Sequence, residues 1–77
     1  MNNFDRFDQA LRRDPLEAAA LALDFSAGCG SRANAWNWAD RAISAAEMAG
    51  IVLDPGRANW PDLGAMTDQL TAAEVRR

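Results

Sequence analysis

Alanine fills seventeen positions of this 77-residue chain, against only four β-branched aliphatic residues, Ile43, Ile51, Val52 and Val75. Alanine gives up no side-chain entropy in a helix, whereas strands favour branched and aromatic side chains, so the balance points to helix throughout. The same alanines thin the core. Apolar residues make up 49% of the sequence, and with alanine set aside twenty-one larger groups remain. A chain this short holds one domain, 1–77, in the size range where burial is marginal. With Cys29 alone and no histidine, neither an internal disulfide nor a zinc cluster can brace it. Self-association, most simply as a homodimer, or a partner protein is the remaining support.

The missing residue types exclude much chemistry. Lysine, histidine and tyrosine are all absent, which removes the Schiff-base nucleophile, the P-loop lysine, the usual general base and the commonest metal ligand. The chain is therefore expected to have no catalytic residues, no cofactor and no metal. Eight arginines face eleven carboxylates, a net charge of −3, and that sign argues against direct nucleic-acid binding, which draws on a basic surface. The longest apolar run, residues 18–23, is far short of the ~20 residues that span a bilayer. Met1-Asn2-Asn3-Phe4-Asp5-Arg6 has no basic and then apolar leader pattern. A cytoplasmic protein without a membrane partner is expected, and an unpaired cysteine fits a reducing compartment.

Helix boundaries are well marked. Asn2 or Asn3 caps a first short helix in which Phe4, Phe7 and Leu11 share a stripe, ending near Arg13. Asp14-Pro15-Leu16-Glu17 then supplies an N-cap acid, a first-turn proline and a glutamate spaced for a capping box. Helix two runs to about residue 27, with Leu16, Ala20, Leu23 and Ala27 on one face and Ala18, Leu21 and Phe25 nearly opposite. A helix apolar on most sides belongs at the centre of a fold or against another chain. Gly28 suits a left-handed C′ position, and Ser31 suits the N-cap of helix three, residues 32–49. In that helix Trp36, Ala39, Ile43 and Ala46 form the expected inner line, with Trp38 on the flank. Gly50-Ile51 reads as a Schellman ending, Ile51-Val52-Leu53 as extended, and Asp54-Pro55-Gly56 as a turn. Asn59-Trp60-Pro61-Asp62 opens a fourth helix with Leu63, Met66 and Leu70 inside. Thr71-Ala72-Ala73-Glu74 repeats the capping-box spacing and predicts a break, and Arg76-Arg77 suits a helix C-terminus. The fold class is all-α: a compact bundle of four or five short helices with helices two and three as a central antiparallel hairpin.

Four acids and two tryptophans are the candidate partner-binding residues. Glu17 and Asp24 lie seven residues apart on helix two, and Asp40 and Glu47 on helix three, so each pair shares a face; two such strips facing the same way make an acidic ridge for a basic partner surface. The alternative is an ordinary solvated face. Trp38 and Trp60 are either core or interface anchors, since tryptophan and arginine dominate binding hot spots. Cys29, between Gly28 and Gly30 at a helix joint, is either a reactive thiol able to form an intermolecular disulfide or a small residue in a tight turn. The Gly28-Cys29-Gly30-Ser31 stretch fails the dinucleotide and P-loop spacings.

In size, acidity, helicity and alanine–arginine bias the chain resembles small phage-encoded inhibitors, the anti-CRISPR proteins among them. That resemblance lies in overall profile and transfers no individual residue. It implies a non-catalytic, viral, protein-binding inhibitor that occupies a functional surface of a host complex, with a basic target surface met by Glu17, Asp24, Asp40 and Glu47 or by Trp38 and Trp60. The alternative is a helix-turn-helix nucleic-acid-binding regulator, because helices two and three meet through a short glycine-containing turn. Against it, helix three carries Asp40 and Glu47 beside Arg32 and Arg41.

Overall fold

The computed structural model describes residues 2–75. Four helices form: α1 (Asn3–Arg13), α2 (Pro15–Ala27), α3 (Arg32–Met48) and α4 (Leu63–Val75), with no strand among the described residues. Arg76 and Arg77, expected to close a helix, lie outside the described residues.

The starts and stops follow local chemistry. Asn2 caps α1, its Oδ1 accepting from the Asp5 amide at 2.9 Å. Asp14 serves two helices at once: its amide donates to the Ala10 carbonyl at 2.8 Å, ending α1, while its carboxylate accepts from the Leu16 amide at 3.0 Å, starting α2. That double duty explains why the expected capping box is incomplete. The Asp14 amide is already taken, and Glu17 instead accepts from Arg13 at 2.9 Å. Ser31 caps α3 as expected, accepting from the Asn34 amide. At the other end Gly50 has φ +80°, its amide reaches Glu47 O at 2.9 Å and the Ile51 amide reaches Ala46 O at 3.0 Å, the two bonds of a Schellman motif.

Three expectations fail for identifiable reasons. Gly28 is right-handed, φ −85° and ψ −3°, because α2 tightens at its end into three-residue bonds, Gly28 N to Phe25 O and Cys29 N to Ser26 O, and needs no left-handed residue. The fourth helix begins at Leu63, capped by Asp62, whose Oδ1 accepts from the Ala65 amide at 3.0 Å. It also runs unbroken past Thr71 to Val75. Thr71 and Glu74 are both solvent-facing there, so the Thr-x-x-Glu spacing marks an exposed face, and the strong helix formers Ala72 and Ala73 sit between them.

Packing is centred on α2, which contacts α3 most closely and also touches α1 and α4. Nine of the sixteen buried hydrophobic residues are alanine, with Ala18, Ala19 and Ala22 on α2 and Ala35, Ala39, Ala42, Ala45 and Ala46 on α3. Small side chains let two helix backbones approach closely. Ser26 records how close: its buried hydroxyl crosses from α2 to donate to the Ala35 carbonyl at 2.7 Å. Phe7, Leu16, Leu23, Trp38, Leu53, Met66 and Leu70 supply the bulk. The inner face of α3 is turned by roughly 80° from the expected line, at ~100° per residue. It keeps Ala39 and Ala46 of that line, both fully buried, and continues through Ala35, Trp38, Ala42 and Ala45, while Trp36 and Ile43 are only half-buried at its edge. The apolar girth of α2 is met inside the chain, where Glu17, Asp24 and Ala27 are its exposed positions.

The α3–α4 connection is ordered by its own polar groups. Gly56 N donates to Asp54 Oδ1 at 2.9 Å, making the expected turn, and Asp62 N returns to Pro55 O at 2.9 Å. Asp54 N donates to Gln69 Oε1 at 2.8 Å, tying the loop to α4. Trp36 Nε1 donates to Asn59 O at 2.8 Å, tying it to α3. The described chain spans 33 × 31 × 15 Å.

Candidate functional site

Trp38 organises an aromatic cluster on which three helices meet. Phe4 of α1 stacks on the indole with centroids 5.0 Å apart and planes at 26°. Phe7 of α1 and Phe25 of α2 meet it edge-on at 5.9 and 4.9 Å. Enclosed on these sides, Trp38 is 7% exposed and belongs to the core; as a free partner contact the expectation for it is corrected. Phe4, which carries the cluster to the surface, is 51% exposed.

Two guanidinium groups frame the cluster. Arg41 lies over Phe4 at 4.7 Å and over Trp38 at 5.5 Å, and Arg6 lies over Phe25 at 5.3 Å. Each is drawn to the negative face of a ring, an attraction that requires no hydrogen-bond acceptor. Both arginines are exposed. Among the described residues the Arg13–Glu17 ion pair is the sole one, so neither Arg6 nor Arg41 makes a direct ion pair, although Asp40 lines the same groove as Arg41. Beside Arg41 a groove of about 250 Å³ opens between α1 and α3, lined by Phe7, Leu11, Asp40, Ser44, Ala45 and Met48.

The four acids are all exposed, but they do not form one ridge. Ser26 marks where α2 touches α3, and Glu17 lies nine residues before it, about 180° around the helix at ~100° per residue. Asp24 follows Glu17 by seven residues and stays on that outer face. On α3, Asp40 and Glu47 lie far around from the contact residue Ala35 in the same way, so the two strips point away from each other. Trp60 is 48% exposed on the α3–α4 connection, well placed to touch a partner but apart from the aromatic cluster. Cys29 is half-buried, and its thiol donates to the Phe25 carbonyl at 3.2 Å. Among the described residues no three acidic or cysteine side chains gather as a ligand set.

The arginine–aromatic face was not legible in the sequence. Its members come from positions 4, 6, 7, 25, 38 and 41 on three helices; the i, i+3 spacings of Phe4 with Phe7 and of Trp38 with Arg41 were the local traces. No known protein family matches the chain, and no curated protein or solved structure matches it.

Proposed function

We propose that this chain is a protein-binding module without chemistry of its own. One observation carries the reading: Arg6, Phe4 and Arg41 stand exposed over the Trp38 cluster with no direct ion pair, and arginine with aromatic side chains is the composition of binding hot spots. Its narrower form, a phage-type inhibitor of the anti-CRISPR kind that covers a working surface of a host complex, rests on the resemblance in size, acidity and helicity. A cytoplasmic setting is supported by the lone thiol. Among the described residues no helix is long and apolar enough to cross a membrane. A central antiparallel hairpin of α2 and α3 is supported by their close packing and by the four-residue link between them. For a homodimer, exposed Met48, Val52 and Val75 are the apolar surface a second copy would cover.

Affinity capture from a bacterial host lysate, with the Phe4→Ala/Arg41→Ala variant as control, tests the binding reading. One protein or complex retained by the natural chain and released by the variant is the expected result. Recovery of nothing above background by a folded bait, or turnover of a substrate by the pure chain, overturns it. The helix-turn-helix reading keeps one observation in its favour, the tight α2–α3 link. The exposed Asp40 and Glu47 on α3 oppose it, and absence of duplex DNA binding at low salt, where such affinity is greatest, ends it.

A further inference from the structure

We propose that residues 53–75 form an exchangeable arm, and that two copies of the chain pair by exchanging it, each α4 docking on the α2 of the other copy. This gives the homodimer reading a route and rests on it. Hydrogen bonds divide the molecule into two parts. Within 53–75, Asp54 N donates to Gln69 Oε1, Gly56 N to Asp54 Oδ1 and Asp62 N to Pro55 O, so the connection and α4 hold together. Residues 2–49 are held by Asp14, which ends α1 and starts α2, and by the Ser26 hydroxyl, which joins α2 to α3. Among the described residues one hydrogen bond alone crosses between the parts, Trp36 Nε1 to Asn59 O. The rest of the hold is apolar: Leu53, Met66 and Leu70 are buried in the cluster that includes Leu16 and Leu23 of α2. A second copy's arm fits that place by identity, since the same sequence is already seated there.

The joint between the parts is free to turn. Gly50 has φ +80° with open space around it, and the amides of Val52 and Leu53 have no hydrogen-bond partner among the described residues. A groove of about 530 Å³ lies beside the joint, between Ile51 and Val52 and the α4 residues Gln69, Ala72 and Ala73. Apolar exposure concentrates here: Met48 is 66% and Val52 81% exposed, one on each side of Gly50. In the closed chain both face water. In an exchanged pair the two joints cross beside one another at the two-fold axis, so Met48 and Val52 of one copy cover those of the other. The unpaired amides and the β-branched Ile51 and Val52 suit strand-like pairing at that crossing. Docking of α4 does not decide the balance, because each copy gives one arm and receives one. The newly covered joint is what favours the pair.

The test uses the full chain. A concentration series, warmed to the thermal midpoint and cooled, is sized by chromatography with light scattering before and after dilution. A dimer that grows with concentration and persists after cold dilution is expected, because separation requires the arm to open. In an equal mixture of carbon-13-labelled and unlabelled chains refolded together, nuclear Overhauser contacts from the Met66 methyl group to α2 methyl groups of the other chain should place each arm on its partner. Val52→Asp, at an exposed site, should keep the helical circular dichroism and weaken dimer formation about tenfold or more, since it sets two carboxylates together at the crossing. Trp36→Phe removes the crossing bond in the closed and exchanged forms alike, so interconversion should speed up about three- to tenfold with the dimer fraction unchanged. Monomer at every concentration, a dimer without the cross-chain Met66 contact, a dimer indifferent to Val52→Asp, or a Trp36→Phe interconversion rate equal to the natural one each overturns the proposal. A dimer that falls apart on dilution and shows cross-chain contacts at Met48 and Val52 alone sinks the exchange and leaves the homodimer reading standing; monomer throughout sinks both.

Discussion

Trp38 meets three phenylalanines within 6 Å, while most other buried positions on α3 are alanine. Alanines cannot reach into the space an indole vacates. Trp38→Ala is therefore expected to cost about 3–5 kcal/mol, against a total of roughly 4–12 kcal/mol for a chain of this length. Urea unfolding followed by circular dichroism should show the midpoint moved far toward zero denaturant. Phe4→Ala removes a half-exposed ring and should shift the same midpoint much less, so a large loss there would contradict the division between core and surface drawn here. Ser26→Ala, which deletes the hydroxyl bonded to Ala35 O, should cost about 1 kcal/mol. At this scale the sequence was only partly legible. That one tryptophan of α3 would be core was readable from its apolar spacing, but which one depended on Phe7 and Phe25, and nothing in the α3 sequence encodes where α1 and α2 present their rings. Trp36, the expected core residue, instead satisfies its Nε1 at Asn59 O on the α3–α4 connection.

At the scale of elements the caps were the most legible part, because a cap is settled within four residues of chain. Asp14, Ser31 and Gly50 do what their residue types allow. Their errors are equally local: Glu17 could not reach an amide that α1 had already engaged, and Gly28 was not required to turn left-handed. Two glycines thus make a matched test. Gly50 sits at φ +80° with open space around it, so Gly50→Ala meets backbone strain alone and should lose about 1–2 kcal/mol. Gly28 is at φ −85° with its nearest contacts at an ordinary 3.7 Å, so Gly28→Ala should leave the thermal midpoint within the error of measurement. Equal losses at both would mean that α2 ends in a left-handed turn after all. Asp14→Ala should act on α2 alone, costing about 1–2 kcal/mol through the lost Leu16 bond, while the backbone bond to Ala10 that ends α1 is kept.

For the whole molecule, the dominant fact is that every principal helix contact includes α2. Its residues Ala18, Ala19, Ala22 and Ser26 are enclosed, and to expose their amides the chain must part α2 from α3 and α1. α4 is differently placed. Its buried residues are Met66 and Leu70, helped by Leu53 and by the Asp54–Gln69 bond from the connection, so it can separate while α1, α2 and α3 stay packed. Native-state hydrogen exchange should then show two levels, with α2 and the facing half of α3 exchanging only on global unfolding and α4 opening at lower free energy. Met66→Ala should lower the opening free energy of α4 and, because global unfolding also exposes Met66, that of α2 by a similar amount, whereas Trp38→Ala should leave α4 opening nearly unchanged and bring α2 down toward its level. Repeating the measurement at high and low protein concentration bears on self-association as well. A homodimer built on Met48, Val52 and Val75 would add protection with concentration around the α3 end and α4, and also to the interior of α2, since global unfolding would then require dissociation. Uniform exchange across all four helices would refute the two-level picture and make the domain a single cooperative unit.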